Sequence, residues 1–484
     1  MADINLGVGG ANSAVAGGYD IENSVKTEAD NSEWMQRATG GGNDSNLKQH
    51  SISAWVKRTE LGGTQMILSM ANIGRVRFDS SNKLQYQFKS SGGGALTTTR
   101  VFRDTSAWLH IFVVADSTLS TANDRLKIYV NGVRETVFDY NVAPTQNSDS
   151  NGWGLYNSYN LNFAGKSDDF YNGYIAETFF IGEQSLLPTD FGEFDDDSGI
   201  WKPKEYTGTF GSNDTYLDFA DASNLGNNAA GGADLSLNNI TSADQAVDSP
   251  TNNFAILSQS MQGYYEDLWS VISDGGTKFR CTEFDSWITT VSSIGVTKGK
   301  WYAEFQPTGA RPNNMYGIAS MEQLDNNSGY IYGGHLGEAN ESWGIGYYQP
   351  NGNLYKQQNS GYTLTSSFGS SISQNQKVGV AIDMDNHNLY IAINNTWQNS
   401  GDPTSGATGT GAISFDATET VAFGLSGYSL GSGNDTIVSV NFGGYRTGGL
   451  PSINSTDANG YGVFRYAPPS GYYALCTKNL AEYG

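Results

Sequence analysis

Three carboxylates in the stretch "EADNSE" carry a spacing that could cut a glycosidic bond: Glu28, Asp30 and Glu33 follow the pattern Glu-x-Asp-x-x-Glu. In retaining glycosidases two carboxyls about 5.5 Å apart flank the scissile bond, one as acid and one as nucleophile. The pattern serves that purpose on an apolar strand in mid-domain. Here it lies near the N-terminus among polar residues, which predicts an edge loop and no catalysis. Other catalytic signatures are missing from the chain. It has no Gly-x-Ser-x-Gly elbow and no phosphate-cradling loop, and its four histidines are scattered. His50 and His110 lie in or beside strand-like runs and read as structural, while His387 sits in a turn.

Binding chemistry is better supplied. Sugars are held by aromatic faces, with Asn and Asp fixing hydroxyls and calcium sometimes ordering the loops. Two loop segments have that make-up: "NGWGLYNSYN", with Trp153, Tyr156 and Tyr159, and "DNNSGYIYGGH", with Asn326, Tyr330 and Tyr332. These six are the glycan-binding candidates, and Trp153 to Tyr159 is the preferred ligand face. The competing reading is that such large rings cap a core. The acidic triplet Asp195-Asp196-Asp197 has calcium-binding chemistry, but a solvated turn is the expectation. Cys281 and Cys476 read as two buried free thiols, with a bridge across the second domain as the alternative, and neither has the spacing of a metal knuckle.

The elements that would position these residues are strands. "RLKIYVNGVRETVF" alternates apolar and polar residues on both sides of Asn131-Gly132, the signature of a two-residue hairpin turn. "VGVAIDMDNHNLYIAINNTW" repeats the device, with turns at Asp385 to Asn388 and at Asn394-Asn395. Sixty glycines with many Asn and Ser punctuate short runs of this kind, and long stretches of helical period are missing. The fold class expected is all-β, as two antiparallel β-sandwich (jelly-roll) domains in tandem. At 484 residues the chain exceeds one ordinary core. The boundaries read as an N-terminal arm over 1–18, a first sandwich over 19–197, a connector over 198–250 that pads it, and a second sandwich over 251–484 with a C-terminal strand. The arm is either flexible or an attachment peptide that orders on a partner.

Charge narrows the partners. With 27 basic and 49 acidic residues the net charge is −22, which argues against nucleic acid or an anionic membrane surface. No apolar run reaches the length of about 18 residues that a spanning helix needs, so no membrane insertion is expected. The start, "MADINLGVGGANSAVAGGYD", lacks the basic head and apolar core of a secretory signal, so folding in a cytoplasm is expected.

The first domain resembles the laminin-G-like, concanavalin A-like lectin family. The resemblance rests on "SISAWVKR", "WLHIFVVAD", "LKIYVNGVRE" and the closing segment "YNGYIAETFFIGEQSLLPTDF". The second resembles the SPRY family through "GKWYAEF", "VGVAIDMDNHNLYIAINNTW" and "SVNFG", in that order. Joined by "FGEFDDDSGIWKPKEYTG" and "DSPTNNF" and ended by "YAPPSGYYALCTKNL", the pair is similar to an architecture of tailed-phage structural proteins, notably those of marine phages. That resemblance implies a virion protein made in the host cytoplasm, without catalytic activity, such as a tail fibre whose loops meet a host-surface glycan. It implies other virion proteins as partners and a homo-oligomer, with a trimer as the family-level guess. In lectin-like relatives a loop near "GKSDDFYNG" helps to hold calcium, which makes Asp168 and Asp169 calcium candidates against the reading of a solvated turn. The alternative function is a head or tail decoration or connector protein, since SPRY-like domains bind protein segments. A glycan depolymerase is the third.

Overall fold

The computed structural model describes residues 18–484 except 38–47, 71–73, 90–92, 151–152, 154–159, 166–168, 259–269, 283, 322–333, 340–342, 360, 417–419, 431–434 and 445–454. The described residues are almost wholly strand and turn, with one short α-helix at Thr477–Tyr483. They divide into two units, the first ending at Asn252 and the second beginning at Asn253. No helix among them is long and apolar enough to cross a membrane.

The first unit is a sandwich of two antiparallel sheets. One sheet runs, edge to edge, through Val133–Arg134, Leu126–Val130, Leu109–Asp116, Gln49–Arg58, Gly173–Gly182, Ser24–Thr27 and Gln245–Ala246, with Thr215–Leu217 also paired to Gly173–Gly182. The other runs through Phe138–Val142, Ala95–Val101, Lys83–Gln87, Gly74–Phe78, Gln65–Met70, Leu161–Phe163, Trp34–Arg37 and Ser236–Asn238. Ile52, Ala54 and Val56 face the core between the sheets, where they meet Val76, Phe78, Leu84 and Tyr86. Asn131 and Gly132 have φ of 48° and 75°, and Val130 pairs with Val133 across them, which is the expected tight hairpin. A side chain at Gly132 would also run into the Trp201 ring, 2.3 Å from its Cβ.

Residues 198–250 do more than pad. They supply an edge strand to each sheet, and Leu217, Phe219, Leu225, Leu235 and Ile240 enter the core. Together with residues 186–194 they also cover the outer side of the first sheet. There Phe112, Val114, Phe179 and Ile181 pack under Phe191, Tyr206, Phe210 and Tyr216. His110 lies in this layer: Trp201 Nε1 donates to its Nδ1 at 3.0 Å, which leaves the proton on Nε2, 2.8 Å from Ser53 Oγ. His50 lies 2.6 Å from the Tyr86 hydroxyl through Nε2. Burial pushes both imidazoles down to about 3, so they are neutral structural rings.

One carboxylate ties the end of this unit to its centre. Asp248 accepts from Lys57 Nζ at 2.7 Å and from Trp108 Nε1 at 2.9 Å, and its carbonyl accepts from Ser24 Oγ at 2.6 Å. The Lys57 and Asp248 side chains are 0% and 1% exposed. Burial presses the Lys57 ammonium below the usual lysine range, and Asp248 opposes that pressure.

The central Gly173–Gly182 strand carries a bulge between Ala176 and Phe179, where Glu177 takes φ of 42°. Its carboxylate accepts from Tyr19 Oη at 2.9 Å and Tyr216 Oη at 2.8 Å. Burial pushes the acid up to about 7, with Asp218 and Glu205 adding to the shift and the two tyrosine hydroxyls opposing it.

The second unit is another two-sheet sandwich. One sheet runs through Ser270–Ser273, Lys278–Cys281, Thr436–Asn441, Lys300–Pro307, Val378–Asp383, Asn388–Ile393 and Thr396–Trp397. The other runs through Phe284–Val291, Val421–Leu430, Asn314–Ser320, Gly344–Tyr348, Asn353–Gln358 and Gly361–Thr365. Asn394 and Asn395, with φ of 48° and 65°, make the expected two-residue turn between Ile393 and Thr396. The preceding turn is shifted by one residue from its expected place: Asp383 pairs with Asn388, so Asn388 is in the strand and His387, at φ of 55°, closes the loop. Tyr473–Ala474 adds parallel to Lys300–Pro307, which gives the C-terminal strand. Cys281 and Cys476 are buried free thiols, so the bridged alternative does not form.

Two predictions follow from the buried carboxyls. Asp248→Ala leaves the Lys57 ammonium buried without its anion and is expected to destabilise the protein by about 3–5 kcal/mol in urea unfolding. An unchanged midpoint would show that the pair carries no such role. Glu177, raised from 4.5 to about 7, binds its proton more tightly folded than unfolded. The stability it contributes is therefore full below about pH 4.5 and is lost as pH rises through about 7, a fall of about 3 kcal/mol. Glu177→Gln should flatten that part of the urea-stability profile.

Candidate functional site

The two sheets of the first unit differ in what covers them, and that difference places the site. The central strands Gln49–Arg58 and Gly173–Gly182 are buried on both faces. The strands Gly74–Phe78 and Lys83–Gln87 are buried at every second residue, with half-buried residues between. Among the described residues the period-two pattern therefore leaves one face of this sheet open. On it lies a groove of about 460 Å3 lined by Arg75, Arg77, Gln85, Gln87, Lys89 and Tyr140, among others.

Register aligns the groove residues in two rows. Arg77 pairs with Gln85, Gln85 with Thr97 and Thr97 with Tyr140. Arg75 pairs with Gln87, and Gln87 with Ala95. Tyr140 is 49% exposed at the edge strand, and the small Ala95 leaves room beside it. Arg77 is already engaged: its Nε donates to Gln85 Oε1 at 2.9 Å, and Nη1 lies 3.0 Å from Asp169 Oδ2. The Arg75 side chain makes no hydrogen bond or ion pair among the described residues. Burial, and then the adjacent Arg77 guanidinium, hold it below the usual arginine range, with Asp169 pulling the other way. The groove therefore offers cations, amide donors and acceptors, a hydroxyl and one exposed ring. That is an equipment for holding a polar ligand, with no nucleophile and base set against each other.

The sequence-derived candidates fall differently. Trp153 is not on a ligand face. Its ring is 1% exposed, its Nε1 donates to the Gln87 carbonyl at 3.0 Å, and it stacks on Phe180 with centroids 6.1 Å apart. A ring of that size gains more from the core than from a loop tip, and its one polar atom finds a partner there. Tyr156, Tyr159, Asn326, Tyr330, Tyr332 and Asp168 lie outside the described residues. Asp169 is spent on Arg77, and a guanidinium 3.0 Å from its carboxylate is an unsuitable neighbour for a divalent cation. Among the described residues no three His, Cys, Asp or Glu side chains converge as metal ligands, and Asp169 in its present setting does not fit calcium. Asp195 caps its own turn, accepting from Ser198 N at 2.9 Å and from Lys202 Nζ at 3.2 Å.

The glycosidase-like triplet is a crossover turn between the two sheets. Glu33 folds back so that Oε2 accepts from Glu28 N at 2.8 Å and Oε1 from Asn31 Nδ2 at 2.9 Å. Its carboxylate is consumed by the turn. Glu177, with its raised pKa, is sealed beneath two tyrosines.

The groove residues were readable in principle. "GRVRF" and "KLQYQFK" put Arg75 and Arg77, then Gln85, Gln87 and Lys89, on one face by simple alternation. What the sequence withheld was that this face, and not that of the neighbouring sheet, stays uncovered. In the second unit, Trp287 gathers His335, Tyr348 and Tyr428 at 5.1, 6.0 and 5.3 Å on the outer side of its second sheet, over Val291 and Met315.

Comparison with known proteins agrees with the first sandwich. Residues 32–179, all within the first unit, match the family described as the concanavalin A-like lectin/glucanases superfamily. Among solved structures, the SPRY domain of human HERC1 is similar at 15% identity, with 35% of this chain and 91% of that chain covered and a TM-score of 0.26. The PSpry domain of TRIM65 is similar at 9% identity, covering 39% of this chain and 92% of that one, also with a TM-score of 0.26. No curated protein matches the chain. The protein is an all-β tandem of two antiparallel sandwiches, and the family match falls in the first.

Proposed function

We propose that this is a non-enzymatic carbohydrate-binding protein of a phage virion, a tail fibre or similar appendage that recognises a host-surface glycan through its first sandwich. The observation that carries the binding part is the open polar groove on a lectin-like sheet. The virion part rests on the order of the two domain types and their joining segments. Binding without cleavage is supported by the Glu28 to Glu33 turn, where the Glu33 carboxylate is committed to Glu28 N and Asn31 Nδ2. The partners are other virion proteins and further copies of the chain. The second reading, a head or tail decoration protein, draws on Val133 and Val137. They are 58% and 65% exposed beside the sandwich edge and offer apolar contact to another protein.

Antibody labelling of intact particles under the electron microscope separates the two. Label at distal fibre tips is expected, whereas label over the head shell or tail shaft would overturn receptor recognition in favour of decoration. On a glycan array the protein should retain sugar without shortening it. Shortening of a polysaccharide that Glu28→Gln abolishes would make the protein a depolymerase.

A further inference from the structure

We propose that the groove of the first sandwich takes an anionic saccharide, one bearing carboxylate or sulfate groups, with the Arg75 guanidinium as the charge that receives it. This rests on the carbohydrate-binding reading above and names the class of sugar.

The argument begins with how the chain treats its other cations nearby. Lys83 is paired with Asp139, Arg77 with Asp169 at 3.0 Å, Arg100 with Glu135 at 3.1 Å and Arg134 with Asp124 at 3.0 Å. A chain with 49 acidic against 27 basic residues has carboxylates to spare. Arg75 and Lys89 nevertheless line the groove with no ion pair or hydrogen bond to their charged groups among the described residues. Arg75 is half-buried and sits next to a second guanidinium, and the carboxylate that offsets its charge, Asp169, is itself in an ion pair with Arg77. An anion entering the groove supplies what the fold leaves out, and a guanidinium binds a carboxylate or sulfate through two parallel hydrogen bonds.

The rest of the lining suits a sugar better than other anions. Gln87 lies beside Arg75 in register; its Nε2 donates to the Lys89 carbonyl at 3.1 Å, which leaves one N–H and the amide oxygen for sugar hydroxyls. Tyr140, half-exposed at the edge, offers a face for C–H stacking, and Thr97 beside it adds a hydroxyl. The volume of about 460 Å3 lies within the usual range for a small ligand, about 300–1,000 Å3. A nucleic acid would need a track of cations, and the −22 net charge opposes a long polyphosphate outside the groove.

The test is isothermal titration calorimetry of the full chain with tetragalacturonate, a sulfated galactan tetrasaccharide and neutral galactotetraose. Binding to at least one of the two acidic sugars and not to the neutral one is expected, with affinity falling as salt rises. Arg75→Gln should weaken it about tenfold or more, and Arg75→Lys, which keeps the charge but loses the fork, should weaken it by less. Melting curves show whether each variant is folded. If Arg75→Gln fails to fold, the salt dependence and Lys89→Gln, which should also weaken acidic binding, decide the matter. Equal binding of neutral and acidic sugars, or acidic binding indifferent to salt and to both positions, overturns the proposal and leaves the carbohydrate reading standing. Binding of neutral sugars alone does the same. Failure to bind any sugar across a broad neutral and acidic array overturns the carbohydrate reading itself.

Discussion

The buried contact of Asp248 with Lys57 and Trp108 is the constraint on which the first sandwich depends. Lys57 belongs to the central Gln49–Arg58 strand, Trp108 directly precedes its neighbour Leu109–Asp116, and Ser24 on the strand next to the edge donates to the Asp248 carbonyl. The chain leaves that centre at Arg58, passes back beside it at Leu109–Asp116 and at Gly173–Gly182, and reaches it again at Asp248. With Asp248 in place, the returning segment can lay Gln245–Ala246 against Ser24–Thr27. Such a pair adds little net stability over an apolar pair of equal volume, because both charges lose their water. It acts instead on register: any slip of the returning segment leaves a bare ammonium in the core.

Buried carboxylates recur as backbone clips in this acidic chain, and this use accounts for acids that would otherwise look catalytic. Glu304 accepts from Arg465 N and Tyr466 N, both at 2.8 Å, and so holds the residues after Val463–Phe464 to the Lys300–Pro307 strand. Asp457 accepts from Ala474 N at 3.0 Å and Asn479 Nδ2 at 2.8 Å, which fixes the start of the C-terminal helix. Asp214 accepts from Gly182 N at 2.9 Å and Gly211 N at 2.7 Å. Hydrogen bonds from backbone amides and hydroxyls to a carboxylate are among the stronger ones available, and they stitch long loops to strands that share no register with them. Glu33 and Glu177 belong to the same set. Their burial follows from where the loops must be held, and the raised pKa values of Glu33, Glu177 and Glu304 follow from the burial.

The asymmetry of the first sandwich links fold to function. A sheet covered on both faces, by the core and by the aromatic layer of Phe179, Phe191, Tyr206 and Phe210, is a rigid platform. Among the described residues the partner sheet keeps one polar face open, and side chains on a sheet are held at fixed spacing, so the groove residues form a preformed array. Arg75 and Arg77 are two residues apart on one strand. Their mutual repulsion is tolerated because Asp169 neutralises Arg77 from a loop at the far side.

Much of the fold was legible in the sequence, because strand alternation and turn chemistry are local. Asn131-Gly132 and Asn394-Asn395 dictate their turns by φ alone, and Ile52, Ala54 and Val56 declare a buried face by spacing. The carboxylates of "EADNSE" were legible as a loop from their polar setting. Tertiary structure decided what covers what. Whether Trp153 is a ligand face or a core ring depends on Gln87 and Phe180, many residues distant. The open groove exists because residues 186–250 fold over one sheet and not the other. A one-dimensional pattern records which side chains share a face; only packing between distant segments determines which faces are left to water.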